Sequence, residues 1–289
     1  MGLCRLIYNT CTLLNRRINN RERSVGSFRP TKLIMEMILG AQMYNLRMFA
    51  QTEGDLDISL KRVAAIGYKT VQISGIGNIA AERVRALCDK YGLKVVLTHM
   101  NADRVMYDTD AIIRENEVMG CDYIGIGMMP ERYRCDAWLD QFPIDYLPAA
   151  KKIAAAGKLL MYHNHEFEFS KINGKRVMDF LAESFTPSEM GFTIDTYWMQ
   201  AGGADVCDWI AKLKGRMPCV HLKDMDVLPN RGVIMAPVME GNINFPKILE
   251  ALKADGGVKY LLIEQDYCQE SPFVCLEKSY KNLAALGYK

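Results

Sequence analysis

The chain has 289 residues, with 36 Lys+Arg against 34 Asp+Glu, and its formal charge of +2 excludes the strong single-sign field of a nucleic-acid or membrane-surface binder. A composition that is 49% hydrophobic and 24% charged excludes disorder and supplies material for one large core. No apolar run approaches the roughly 20 residues a bilayer-spanning helix needs, so a soluble protein with no membrane partner is expected.

The first 36 residues stand apart. They hold Arg5, Arg16, Arg17, Arg21, Arg23, Arg29 and Lys32 against Glu22 and Glu36, an excess of five positive charges that leaves residues 37–289 at −3. Cys11–Leu14 is too short for the apolar centre of a signal peptide, and no small-residue cleavage pattern follows. Residues 1–36 are therefore expected to lie outside the folded domain, as a basic extension that is disordered or not native, with Met35 or Met37 as alternative starts and residues 37–289 forming the domain. Nine cysteines, none in a C-x-x-C pair, suit reduced thiols in a cytoplasmic enzyme.

From residue 37 onward, short apolar runs of strand length alternate with helical patterns. The predicted strands are 37–43, 70–74, 94–98, 122–126, 158–162, 190–194, 218–222 and 259–263. Helices are predicted at 57–66, 80–91, 109–119, 144–156, 175–184, 205–214, 245–254 and 272–285, with Gly92, Gly120 and Gly157 closing three of them. Apolar strands without alternation signal burial on both faces, and alternation with helices signals parallel connection. Eight such units predict a single-domain α/β fold, a (β/α)8 TIM barrel. A doubly wound open sheet is the rival, but no G-x-G-x-x-G follows the first strand.

In such a barrel, functional side chains sit at the C-terminal ends of the strands. All four histidines fall there: His99 after KVVLT, His163 and His165 after KLLMY, and His221 within PCVHLKD. So do two acids, Asp195 after MGFTI and Glu264 after KYLLI. An acid closing an apolar strand is costly to bury unless it is paired or bound to a cation. Asp195, His221 and Glu264, from successive strands, are expected to meet, with His163 or His165 completing a mixed nitrogen and oxygen set. That set suits one divalent ion, Mn2+, Zn2+, Co2+ or Fe2+, and suits Mg2+ less well. A structural salt-bridge cluster is the bland alternative.

At these residues the chain resembles the sugar phosphate isomerase/epimerase family, the xylose-isomerase-like TIM barrels. The resemblance rests on Gly40–Arg47 (GAQMYNLR), Gly92–His99 (GLKVVLTH), Tyr162–His165 (YHNH) and Phe192–Asp195 (FTID) followed by Trp198 and Ala201-Gly202. Val220–Asp224 (VHLKD), Glu240–Phe245 (EGNINF) and Ile263-Glu264 extend it over residues 38 to about 285. It implies one divalent metal held by side chains from strands 5 to 8, with Asp195, His221 and Glu264 matching the family's ligands. The fifth strand departs from the pattern: many sugar epimerases of the family place a glutamate there, whereas this chain reads His163-Asn164-His165-Glu166, and His163 is taken as the ligand.

The resemblance further implies a metal-dependent isomerase or epimerase that moves a proton beside a polarised carbonyl of a sugar, keto-sugar or polyol. Glu264 would act as base, with His163, His165 or Glu166 as its partner. Lyase or dehydratase chemistry on a keto-sugar, as in inosose dehydratase relatives, needs the same pieces, and a non-catalytic sugar-binding barrel is a third reading. Endonuclease IV-type barrels need more His ligands, and Trp198 stands where they carry one, so no nucleic-acid partner is expected. Lys223 could polarise a substrate oxygen, or merely pair with Asp224. Trp198 and Tyr44 could stack on a sugar ring, and Gln42, His99 and Asn164 could bond its hydroxyls. Arg132 and Arg134 could bind a phosphate, but no phosphate-cradling loop accompanies them, so a free sugar is favoured. Glu240 or Asn242 would border the site. Association into a homo-oligomer is allowed but not specified.

Overall fold

The computed structural model describes residues 36–289, so the reading of the N-terminal extension lies, but for Glu36, outside the described residues. Strands buried on both faces need hydrogen-bonding neighbours on both edges, and a closed ring supplies them. Eight parallel strands form that ring: β1 (Ile38–Gln42), β2 (Thr70–Ile73), β3 (Lys94–Met100), β4 (Tyr123–Ile126), β5 (Leu159–His163), β6 (Met190–Asp195), β7 (Cys219–Leu222) and β8 (Tyr260–Ile263). Each pairs with its neighbours in chain order, and β8 closes on β1 with Ala41 opposite Ile263. This is the expected (β/α)8 barrel, with all eight strands where the apolar runs placed them.

The surrounding helices are α1 (Glu53–Ile66), α2 (Ala81–Lys90), α3 (Thr109–Met119), α4 (Gln141–Ala155), α5 (Val177–Ser184), α6 (Val206–Lys212), α7 (Phe245–Asp255) and α8 (Pro272–Ala284). Where their bounds differ from expectation, local chemistry explains it. Thr52 and Asp55 form a reciprocal capping box that starts α1 four residues before the predicted Asp57. Lys175–Arg176, read as helix, instead pairs antiparallel with Lys171–Ile172, so α5 begins only at Val177. Gly92, Gly120 and Gly157 all take positive φ, as the predicted helix ends require. Met43, read as the end of the first strand, opens a 3-10 segment to Phe49, because the Gln42 side chain accepts from the Tyr44 N–H and turns the chain. Two short helices, Ala102–Tyr107 and Thr196–Ala201, and a hairpin pairing Asp224–Val227 with Val233–Ala236 also went unforeseen.

Side chains of a strand alternate between the barrel's inside and its helical shell. Leu97, Met161, Cys219 and Leu262 form, with Val96, an apolar cluster separate from the main core. Two positions further along the same strands come His99, His163, His221 and Glu264. The apolar cluster thus floors the barrel, and period-two geometry lifts a polar layer onto it. Among the described residues no helix is long and apolar enough to cross a membrane, and the seven described cysteines are free thiols.

Candidate metal centre

Four side chains, His163, Asp195, His221 and Glu264, bring ligand atoms within 4.8 Å of one another, and all four are buried. They come from the ends of β5, β6 and β7 and the residue following β8, so the set anticipated from the sequence, with His163 rather than His165 in it, is brought together. His163 Nε2 lies 3.4 Å from Asp195 Oδ2 and 3.8 Å from Glu264 Oε2. His221 Nδ1 lies 3.9 Å from Asp195 Oδ2 and 2.6 Å from Glu264 Oε2. Around one ion with bonds of about 2.1 Å, neighbouring ligand atoms sit roughly 3–3.5 Å apart, close to this spread.

The orientation of each ring is fixed from outside the cluster. His163 Nδ1 lies 2.9 Å from the Gly127 carbonyl, which can only accept, so Nδ1 carries the proton and Nε2 turns a lone pair inward. Gln72 Oε1 lies 2.6 Å from His221 Nε2, which fixes that proton outward and leaves Nδ1 as a second inward lone pair. Two imidazole lone pairs and two carboxylates therefore converge with no donor among them. Consistent with this, His221 Nδ1 and Glu264 Oε2 are buried without a hydrogen-bond partner. Acceptors crowded in this way repel unless a cation sits between them, and two carboxylates match the charge of a divalent ion. The donor set fits a metal, and the outward-facing Gly127 and Gln72 contacts are the supports that orient metal-binding imidazoles.

Lys223 offsets only part of the cluster's negative charge. Its ammonium stands 3.6 Å from Asp195 and 3.8 Å from Glu264, and it is bonded at 2.6 Å to Asp266. The pairing with Asp224 allowed by the sequence is absent: consecutive residues face opposite sides, and Asp224 instead accepts from the backbone N–H groups of Met225, Met239, Gly241 and Ile243. Burial pushes the Lys223 pKa down, but Asp195, Glu264 and Asp266 outweigh it and keep the group charged. Burial likewise opposes the ionised form of Glu264, yet the charged Lys223 beside it holds it well below the usual carboxylate range. Burial lowers the His163 pKa, and Asp195 and Glu264 more than offset it, so positive charge is favoured at this point in the barrel.

A cavity of ≈ 530 Å³ opens over the cluster, and Gln42, Tyr44, His99, His165, Glu166, Trp198 and Lys223 all line it, as the sequence reading expected of a substrate pocket. Gln42 Nε2 donates to Glu264 Oε1 at 2.9 Å, so it also fixes that carboxylate. His165 is edge-on to His163 and, through burial, has a pKa pushed down to about 2; it is a neutral ring with an unpartnered Nδ1. His99 Nε2 and Trp198 Nε1 are likewise buried and unpartnered.

Other expectations need correction. Asn164 does not line the cavity: lying between two inward residues it faces outward, and its Oδ1 accepts from the Asp195 N–H at 3.0 Å. Glu240 and Asn242 do not reach the cavity either; Asn242 donates to Asp226 and Glu240 lies beside Lys278. Arg132 pairs with Asp103, while Arg134 lines the cavity with two of its nitrogens on the Met129 carbonyl. Three contributors went unread in the sequence: Gln72, Asp266 and Glu168. Glu168 is fully buried, accepts from Tyr162 Oη at 2.5 Å and from the His165 N–H at 2.8 Å, and so holds the turn that presents His165. A polar residue inside an apolar strand was the available signal for Gln72, and the two-residue spacing from Glu264 was the one for Asp266.

A barrel of this topology with such a cluster at its C-terminal mouth defines a class, and comparison with known proteins agrees. A family model described as xylose isomerase-like TIM barrel matches residues 60–272, and the chain belongs to that family. No curated protein matches it. Among solved structures, a sugar phosphate isomerase/epimerase from Parabacteroides distasonis ATCC 8503 superposes with a TM-score of 0.72 at 21% identity, covering 86% of this chain and 98% of that one. The probable 3-DHS dehydratase AsbF of Bacillus anthracis, involved in petrobactin synthesis, gives 0.63 at 13% identity, covering 86% and 99%. The IOLI protein with a bound zinc atom gives 0.65 at 13% identity, covering 86% and 98%. At these identities the likeness to the solved structures is one of fold.

Proposed function

We propose that the protein is a divalent-metal-dependent isomerase or epimerase acting on a small carbohydrate that carries a carbonyl, with His163, Asp195, His221 and Glu264 as metal ligands. One observation carries this reading: two buried imidazoles and two buried carboxylates each bring a ligand atom within 4.8 Å of the others at the barrel mouth. When bound, the ion would polarise a sugar carbonyl oxygen and so acidify the adjacent C–H. Mn2+, Zn2+, Co2+ and Fe2+ suit the two-imidazole, two-carboxylate set, and the zinc in one neighbour is in keeping with it.

The chain's own residues then divide the work. Glu264, ionised and steadied by Gln42, takes the proton from one face of the substrate. Lys223, charged and buried beside the cluster, offsets negative charge developing on the carbonyl oxygen. His165 and Glu166 border the other face, where a proton is returned. Trp198 and Tyr44 wall the ring, and His99 offers an unpartnered nitrogen to a hydroxyl.

A second reading is β-elimination by a lyase or dehydratase. It is favoured by the fifth strand, where an imidazole, His163, sits in the metal set, and by the loop after it, where Glu166 is exposed and the buried Glu168 is engaged by Tyr162 and the His165 N–H outside the cavity lining, so that neither mirrors Glu264. Elimination needs one base and an acid for the leaving group, not two matched bases.

Elemental analysis of the wild type beside Asp195→Ala, His221→Ala and Glu264→Ala tests both readings: the wild type retains near one ion per chain and the variants lose it. Equal metal in all four samples would defeat the metal readings together. Incubation with keto-sugars in deuterated water then separates them. An epimerase yields a labelled stereoisomer, whereas a lyase yields an unsaturated product with new ultraviolet absorbance.

A further inference from the structure

The cavity over the cluster is larger than one sugar. A hexose fills about 180 Å³, the bulk of some six waters at roughly 30 Å³ each, against the ≈ 530 Å³ available. The surplus lies outward and is organised. From His163 the ring of His165 stands 4.8 Å away, and Phe167 continues parallel to His165 at 6.2 Å and 11°, so two steps, each about one pyranose wide, lead from the metal cluster toward the surface. Tyr44 and the exposed Tyr267 also line the cavity.

Two arginines hold the rings of this outer tier: Arg134 lines the cavity, and Arg47 lies against Tyr44 and Tyr267. Arg134 spends Nε and Nη2 on the Met129 carbonyl and lies 4.1 Å over the Phe167 ring. Arg47 donates to the Tyr44 and Asp266 carbonyls, with its guanidinium 4.3 Å from the Tyr44 ring centre and 5.8 Å from that of Tyr267. Each guanidinium gives two of its five N–H groups to backbone carbonyls, which weakens it as a bidentate phosphate partner, and what it does locally is pin rings in place. Aromatic rings pinned in this way suit a second neutral ring.

We infer that the substrate has two rings: a keto-sugar at the metal cluster and, linked to it, a second six-membered ring packed among Phe167, Tyr267 and Tyr44. The inference rests on the sugar reading above and adds to it the class of substrate. The second ring presents a flat, largely C–H or aryl face, whether it comes from another sugar or from an aromatic group.

The test is calorimetric titration of the purified full chain with four probes that share one keto-sugar and differ only at O6: fructose, fructose 6-phosphate, isomaltulose (a 6-O-glucosyl fructose) and 6-O-benzyl fructose. At least one two-ring probe should bind about tenfold more tightly than fructose, the size of one stacking contact. Which of the two gains more tells whether the ring is a sugar or an aryl group. The two-ring-to-fructose affinity ratio should fall toward one in both Phe167→Ala and Tyr267→Ala, the latter at an exposed position where folding is not at stake. Equal affinities, a preference for fructose 6-phosphate, or a ratio that survives both substitutions overturns the second-ring subsite and leaves the sugar reading intact. Binding of none of the four overturns the sugar reading itself, and the subsite with it.

Discussion

Glu168→Gln should change the pH dependence of stability in a calculable way. The carboxyl is fully buried, and burial, only partly offset by Tyr162 and the His165 N–H, raises its pKa from 4.5 to about 7. Below pH 4.5 the group is protonated in both folded and unfolded chains and costs nothing. Between 4.5 and 7 the unfolded chain releases the proton first, so the folded state is progressively disfavoured, and above 7 the deficit is complete. At about 1.36 kcal/mol per pH unit the full cost is about 3 kcal/mol, of which about 2.5 kcal/mol falls between pH 5 and pH 8. Glutamine keeps both contacts, its oxygen accepting from His165 and its amide donating to Tyr162, and does not titrate. Urea denaturation at pH 5 and pH 8, with chelator throughout, should show the variant gaining on the wild type by that amount as pH rises. Parallel stability curves would refute the argument, because every other group cancels in the comparison.

Replacing Gln72 by Leu removes the contact that orients His221 and should weaken metal binding about 10- to 100-fold, read by competition with a chelating dye; unchanged affinity would contradict the assigned role. Lys223→Met leaves the buried Asp195 and Glu264 and the half-buried Asp266 without their cation and should cost about 3–5 kcal/mol in metal-free denaturation, with part of it recovered in Lys223→Met/Asp266→Asn. Additive losses in the pair would show that the two groups act separately. Gly67→Ala should lose at least about 2 kcal/mol, since φ is +128° and a Cβ would lie 2.5 Å from the Tyr280 ring; a melting temperature within a degree of wild type would contradict it.

How far the sequence could be read follows from burial. All eight strands were legible because a strand enclosed on both faces must be apolar throughout, and the clustered residues were legible because an acid or histidine closing such a run is costly to bury unless it is paired or bound to a cation. Gln72 escaped because it sits inside its run, where TVQIS reads as a strand with one polar residue and says nothing of the imidazole across the barrel. The partner of Lys223 was misjudged by proximity in sequence: Asp224 faces away, and Asp266 arrives from another strand. Asn164 was assigned by side-chain chemistry without regard to which side of the chain it occupied. Ala102–Tyr107 and Thr196–Ala201 span too few turns for an apolar period to declare itself. Glu168 lay in an FEF segment with no pattern of its own.

The four proposed metal ligands come from the second half of the barrel, while Gln42 and Gln72, which steady Glu264 and His221, come from its first two strands. Affinity for the ion is therefore a gauge of whether the seam between β8 and β1 is sealed. Any change that loosens that seam should register as metal leakage before the molecule as a whole gives way.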